Sequence, residues 1–93
     1  MQPTLIQKET LSEYHFNDQE VLPSEDDVKI RKMNLNRALI LGNAYRRKIK
    51  LTFETTDGLK QVETTIWAVT EKNVVLKGGK FIPTKAITKV EVY

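Results

Sequence analysis

The residues of this chain with the types and spacing for chemistry are cations and aromatic rings. Arg46, Arg47, Lys48 and Lys50 lead into a run of alternating residues, and Lys77, Lys80, Lys85 and Lys89 surround a later Gly78-Gly79 reversal. Lys48 and Lys50 stand two apart, which on an extended strand puts both on one face. Tyr45, Trp67, Phe81 and Tyr93 are the rings near these charges. Small β-domains hold single strands with such a combination, cations that displace phosphate counterions and rings on which bases stack. The same residues have plainer uses. Phe81 and Trp67 suit a core or a subunit interface, and scattered lysines keep a surface soluble.

Other chemistry has little to build on. His15 is the sole histidine, the chain has no cysteine, and no Ser-His-Asp grouping can be assembled. Glu25-Asp26-Asp27 lacks the alternating oxygen-ligand spacing of a calcium loop and fits better as helix N-terminal charge. Gly78-Gly79-Lys80 lacks the frame and the following helix of a phosphate loop, so it reads as a hairpin. The expectation is a non-enzymatic protein with no cofactor and no metal site.

Charge is unevenly distributed. Residues 1–30 carry two lysines against seven acids, a net of −5, whereas residues 31–93 carry 13 cations against five acids, a net of +8. Such a chain either lays an acidic arm on its own basic domain or offers the basic surface to a polyanion. An arm lying over Arg46–Lys50 would compete with phosphate there. A chain of 93 residues suits one domain, near the size at which a core only just sustains itself. The absence of cysteine suits a reducing compartment, and the N-terminus lacks the pattern of a secretion signal. The longest strongly apolar run, Ala38-Leu-Ile-Leu41, is far short of the about 20 residues of a spanning helix. A soluble, cytoplasmic protein with no membrane partner is therefore expected.

These residues must be positioned by elements legible in the pattern. Residues 1–23 have no sustained period, so 1–30 reads as a flexible or loosely docked acidic arm and 31–93 as a helix plus a small β-barrel domain. Ser24-Glu-Asp-Asp27 has the form of a capping box at which a helix could start; Asn34 and Asn36 are poor interior residues, so the spacing predicts a helix over about 34–42. Leu35, Ala38, Leu39 and Ile40 would face the barrel. Ile49, Leu51, Phe53 and Thr55 alternate with polar residues as a strand with one wet face, and Asp57-Gly58 predicts a hairpin turn with both residues at positive φ. Val62, Thr64, Ile66 and Ala68 continue as a second strand in which Trp67 and Val69 are also apolar, as where a strand bends between two sheets. Val74–Leu76, a strand starting at Phe81-Ile82, one turn of 3₁₀ helix over Pro83–Ala86, and a last strand with Ile87, Val90 and Val92 inward complete a mainly β, five-stranded barrel.

The order of these elements resembles the Sm-like family and, within it, the Hfq branch. The resemblance rests on Leu35-Asn-Arg-Ala-Leu39, Ile49-Lys-Leu-Thr-Phe53 with Asp57-Gly-Leu-Lys60, Val74-Val-Leu-Lys77 and Lys85-Ala-Ile-Thr-Lys-Val90, and covers about residues 34–92. Phe81-Ile-Pro-Thr-Lys-Ala-Ile87 is also similar to the closing segment of SH3 domains. The resemblance implies an SH3-like barrel that forms rings and binds RNA. The chain departs from the family at the base pocket, where it has Glu63-Thr-Thr-Ile-Trp67 in place of a strand glycine, and Pro83-Thr-Lys85 in place of Tyr-Lys-His.

Two readings stand. In one, a basic barrel binds nucleic acid, single-stranded RNA by preference, since no recognition helix for duplex DNA is visible. Its site is Tyr45, Arg46, Arg47, Lys48, Lys50, Lys77, Lys80, Lys85 and Lys89. In the other, a protein-interaction or assembly module forms homo-oligomers through edge strands 74–76 and 88–93.

Overall fold

The computed structural model describes residues 2–93 as one helix and two small sheets. Helix α1 spans Glu25–Ala44. Ser24 caps it, its Oγ accepting from the Asp27 backbone N–H at 3.2 Å, and three acids occupy the first turn where the helix dipole favours them. The helix is thus about twice as long as the predicted 34–42. The capping box outweighs the asparagines, because Asn34 and Asn36 lie on the solvent side and cost only a few tenths of a kcal/mol each, ~0.5. Arg31, Leu35, Ala38 and Gly42 form the buried stripe. Gly42 lies where a Cβ would come within 3.3 Å of Ile49 Cγ1, so its lack of a side chain sets how closely the helix meets the sheet. Ile40 faces solvent and does not join the core.

The first sheet comprises β1 (Thr4–Leu5), β2 (Ile49–Thr55), β3 (Gly58–Thr64) and β7 (Ile87–Val92), in the order β1-β3-β2-β7. The second comprises β4 (Ile66–Val69), β5 (Asn73–Leu76) and β6 (Phe81–Pro83), in that order. Ile49, Leu51 and Phe53 point inward by the expected period of two and are fully buried, with Val62, Ile66, Val74, Leu76, Ile82 and Ile87. The β2–β3 turn is formed by Thr56-Asp57, with Thr55 paired to Gly58. Only Gly58 takes positive φ, +101°, so the turn sits one residue earlier than predicted and Gly58 serves as a left-handed residue after it.

The predicted bent second strand is two strands. β3 and β4 lie in different sheets and only Thr65 separates them. β5 is paired on both sides, by β4 and β6, so Val74–Leu76 is a central strand and the expectation that it is an edge is corrected. β7 does end its sheet, paired only with β2.

The N-terminal segment is threaded into the fold. β1 runs parallel to β3, Leu11 in a 3₁₀ turn over Lys8–Glu13 is buried, and Phe16 packs on Phe53 with ring centroids 5.9 Å apart. Main-chain bonds from Thr56 to His15 and from Val21 to Lys85 hold it along its length. Glu20 then grips the buried Arg31 of α1 through a two-point ion pair, 2.6 and 2.5 Å, while the same guanidinium donates to the Ile87 carbonyl at 3.1 Å. Composition alone hides this, because a few apolar anchors among many acids give no period to read. No described helix is long and apolar enough to cross a membrane.

Candidate nucleic-acid interface

The chain leaves α1 through Tyr45, whose N–H bonds back to the Leu41 carbonyl, and turns at Arg46. Arg46 has φ +54°, the one non-glycine residue at positive φ among the described residues. Glycine or asparagine fills this left-handed position after a helix at less backbone cost. A cation there also sits favourably against the negative end of the helix dipole. Tyr45, Arg46, Arg47 and Lys48 are all exposed.

Three other elements converge on this corner. The N–H of Tyr93 donates to the Lys48 carbonyl at 3.0 Å, bringing the end of β7 alongside the start of β2. Lys50 lies 5.1 Å from the centre of the Tyr93 ring and 3.5 Å from the Glu63 carboxylate. Tyr93, and then Glu63, hold the Lys50 ammonium above its ordinary pKa. Lys77 enters from the second sheet, its N–H donating to the Thr65 carbonyl at 2.9 Å beside the strand that pairs with β2. The Asn43 side chain, near the end of α1, donates to the Ile66 carbonyl at 2.8 Å and fixes β4 against the helix.

Trp67, next along β4, is 55% exposed. It faces outward by simple alternation from the buried Ile66, and a bulge follows it: Ile66 pairs with Leu76 but Ala68 pairs with Val75. A bulge shifts the alternation, which lets Ile66 and Val69 both pack on the core. Of the two places expected for Trp67, a core or a subunit interface, the core is excluded. Phe81 is likewise exposed, on β6, one strand beyond β5 in the same sheet.

The cations expected to act together divide into two groups. Arg46, Arg47, Lys48 and Lys50 stand at the corner with Tyr45 and Tyr93, and Lys77, at the start of the β5–β6 hairpin, is tied to Thr65 between β3 and β4. Lys80 and Lys85 are elsewhere, and Lys89 lies on β7 opposite Thr52. Lys85 is paired with Asp18, and Lys89 stands 3.9 Å from Glu91. Lys80 lies near Glu9, whose carboxyl is held below its usual range by its backbone hydrogen bond and by Lys8, with a smaller contribution from Lys80. The acids of the N-terminal segment therefore meet Lys85, Arg31 and Lys8, and the expected cover over Arg46–Lys50 is not where they lie. Among the described residues, Arg46, Arg47, Lys48 and Lys77 have no carboxylate partner within ion-pair distance. Sequence reasoning left Trp67 and Tyr93 out of the site, and only their aromatic character near cations marked them.

A groove of about 500 Å³ between α1 and the β4–β5 turn is lined by Arg31, Leu35, Val69 and Thr84. Glu20 already neutralises its buried arginine, which leaves little attraction for a phosphate. Comparison of the chain with known protein families, with curated proteins and with solved structures finds no match.

Proposed function

We propose that this protein is a non-enzymatic nucleic-acid-binding domain for single-stranded RNA, built as a five-stranded, SH3-like barrel of Sm-like type. The observation that carries the reading is the α1–β2 corner, where Arg46, Arg47 and Lys48 have no carboxylate partner among the described residues and the end of α1 is tied to β4 next to the exposed Trp67. Unpaired cations retain counterions to release, and an exposed ring offers a stacking platform at little cost to the core. The barrel reading is supported by the two places where the chain passes between sheets: β3 into β4 across Thr65, and β6 into β7 through the 3₁₀ turn Thr84–Ala86.

Filter binding of the whole chain to a pool of single-stranded RNA at two salt concentrations tests it. The expected signal is steeply salt-dependent and strongly weakened on replacing Arg46, Arg47 and Lys48 together with alanine. Absence of binding at low salt overturns the reading. Deletion of residues 1–30 is a poor test, because it strips Leu11 and Phe16 from the packing.

A second reading, an assembly module, is favoured by the free edge of β7. A neighbouring copy adding its β6 or β4 edge to β7 would extend a sheet between subunits. Light scattering that shows a ring, with no RNA retained, would support it.

A further inference from the structure

Helix α1 is apolar on two sides. Opposite the buried stripe, Ile30, Met33 and Ile40 are 53%, 69% and 62% exposed. With Asp26, Arg37 and Ala44 they follow one line along the helix at steps of four, three, four, three and four residues, the spacing of a two-helix seam. At about 100° per residue this line lies roughly opposite Arg31, Leu35, Ala38 and Gly42. Isolated surface apolar residues are ordinary, but three on one seam make a patch that favours a partner.

The charges on the seam specify the partner. Asp26 and Arg37 are its only ionisable members, both are exposed, and neither has an ion-pair partner among the described residues. In a parallel pair of such helices Asp26 would meet Asp26 and Arg37 would meet Arg37. Reversed, one register sets Asp26 of each helix against Arg37 of the other and places Ile30 against Met33. The same register carries Ile40 to the exposed Pro23 that precedes the other helix. Opposed helix dipoles add to the preference. We infer that a second copy of this chain covers the outer face of α1, forming an antiparallel two-fold dimer with Asp26–Arg37 pairs flanking an Ile30–Met33 centre. A seam along a helix of about 30 Å buries less than the about 800 Å² per partner of a standard interface, so the affinity expected is on the order of micromolar.

Sedimentation equilibrium of the full chain over micromolar concentrations, with circular dichroism to verify the fold, tests this. A monomer–dimer equilibrium is expected, and Met33→Glu is expected to leave a folded monomer. Arg37→Asp alone should weaken the dimer about tenfold, since symmetry replaces two attractive pairs with two repulsive ones. Adding Asp26→Arg to it should restore the dimer. A chain that stays monomeric throughout, or an oligomer unmoved by Met33→Glu, as association through strand edges would be, overturns the inference. Failure of the double reversal to restore the dimer overturns its antiparallel register.

Discussion

The corner where α1 meets β2 and the side of the β5–β6 hairpin that faces the N-terminal segment are both rich in lysine, yet they differ in what surrounds the charges. At the hairpin side the N-terminal segment passes close by, and Asp18 and Glu9 lie among Lys85, Lys8 and Lys80. At the corner no acid of that segment reaches Arg46, Arg47 or Lys48, and the acids that stand there, Glu63 and Glu91, lie across from Lys50 on the neighbouring strands. Two lysines with the same exposure therefore offer a polyanion different things: one must first give up a carboxylate, the other only its counterions. A cationic site is a property of pairs and neighbours, not of a count.

The largest effect should come from the anchor that holds the acidic segment in place. Glu20→Gln leaves the Arg31 guanidinium buried with little more than the Ile87 carbonyl, a loss of about 2–4 kcal/mol in urea-unfolding free energy. If stability is unchanged, the segment is held by its apolar anchors alone. The same pair predicts a pH dependence. Its hydrogen bonds from Arg31 hold the Glu20 carboxyl below the ordinary value of 4.5. Its stabilisation is then fully present above that value and is lost as pH falls through the lowered pKa. Urea midpoints should drop below pH 4.5 in the native protein and respond less in Glu20→Gln.

Next is the corner itself. Alanine at Arg46, Arg47 and Lys48 should lower single-stranded RNA affinity about 30-fold at low salt and make the log–log salt slope shallower by about 2, for three phosphates at ~0.7 each. Trp67→Ala should cost about 1–2 kcal/mol of binding by loss of one stacked base, with the unfolding midpoint almost unmoved because the ring is solvent-facing. An equal loss from Phe81→Ala would erase the distinction between the two regions. The smallest effect should come from Lys85→Ala with Lys89→Ala, less than about twofold in RNA affinity, since both already have carboxylates beside them. A loss as large as that of the corner variant would show that Lys85 and Lys89 belong to the site.

Much of the frame was legible. The alternation Ile49, Leu51, Phe53 gave the face of β2, and Ser24 with Asp27 marked the start of α1. The helix nevertheless extends well before the predicted 34–42, because the small cost of two solvent-facing asparagines does not offset a capped and acidic first turn. The turn at Thr56-Asp57 was misplaced by one residue, since a glycine in a left-handed position serves equally as a turn residue or as the residue after it. Val74–Leu76 has the same composition whether central or at an edge, because pairing on its second side depends on the distant β6. The site was half legible: its cations are contiguous in sequence, but a large ring on a strand apolar on both faces suits a core or an interface equally, and only the fold exposes Trp67.

What the residues alone determined is local: which side of β2 faces inward, that a helix precedes it, and that negative charge precedes positive charge along the chain. Period, capping and composition act over a few residues and need no partner. Only the tertiary structure decided which lysines keep their charge unmatched, which way Trp67 points, and that Leu11 and Phe16 belong to the core. Each of those depends on segments tens of residues apart meeting in space, and ion pairing and strand register exist only once they have met.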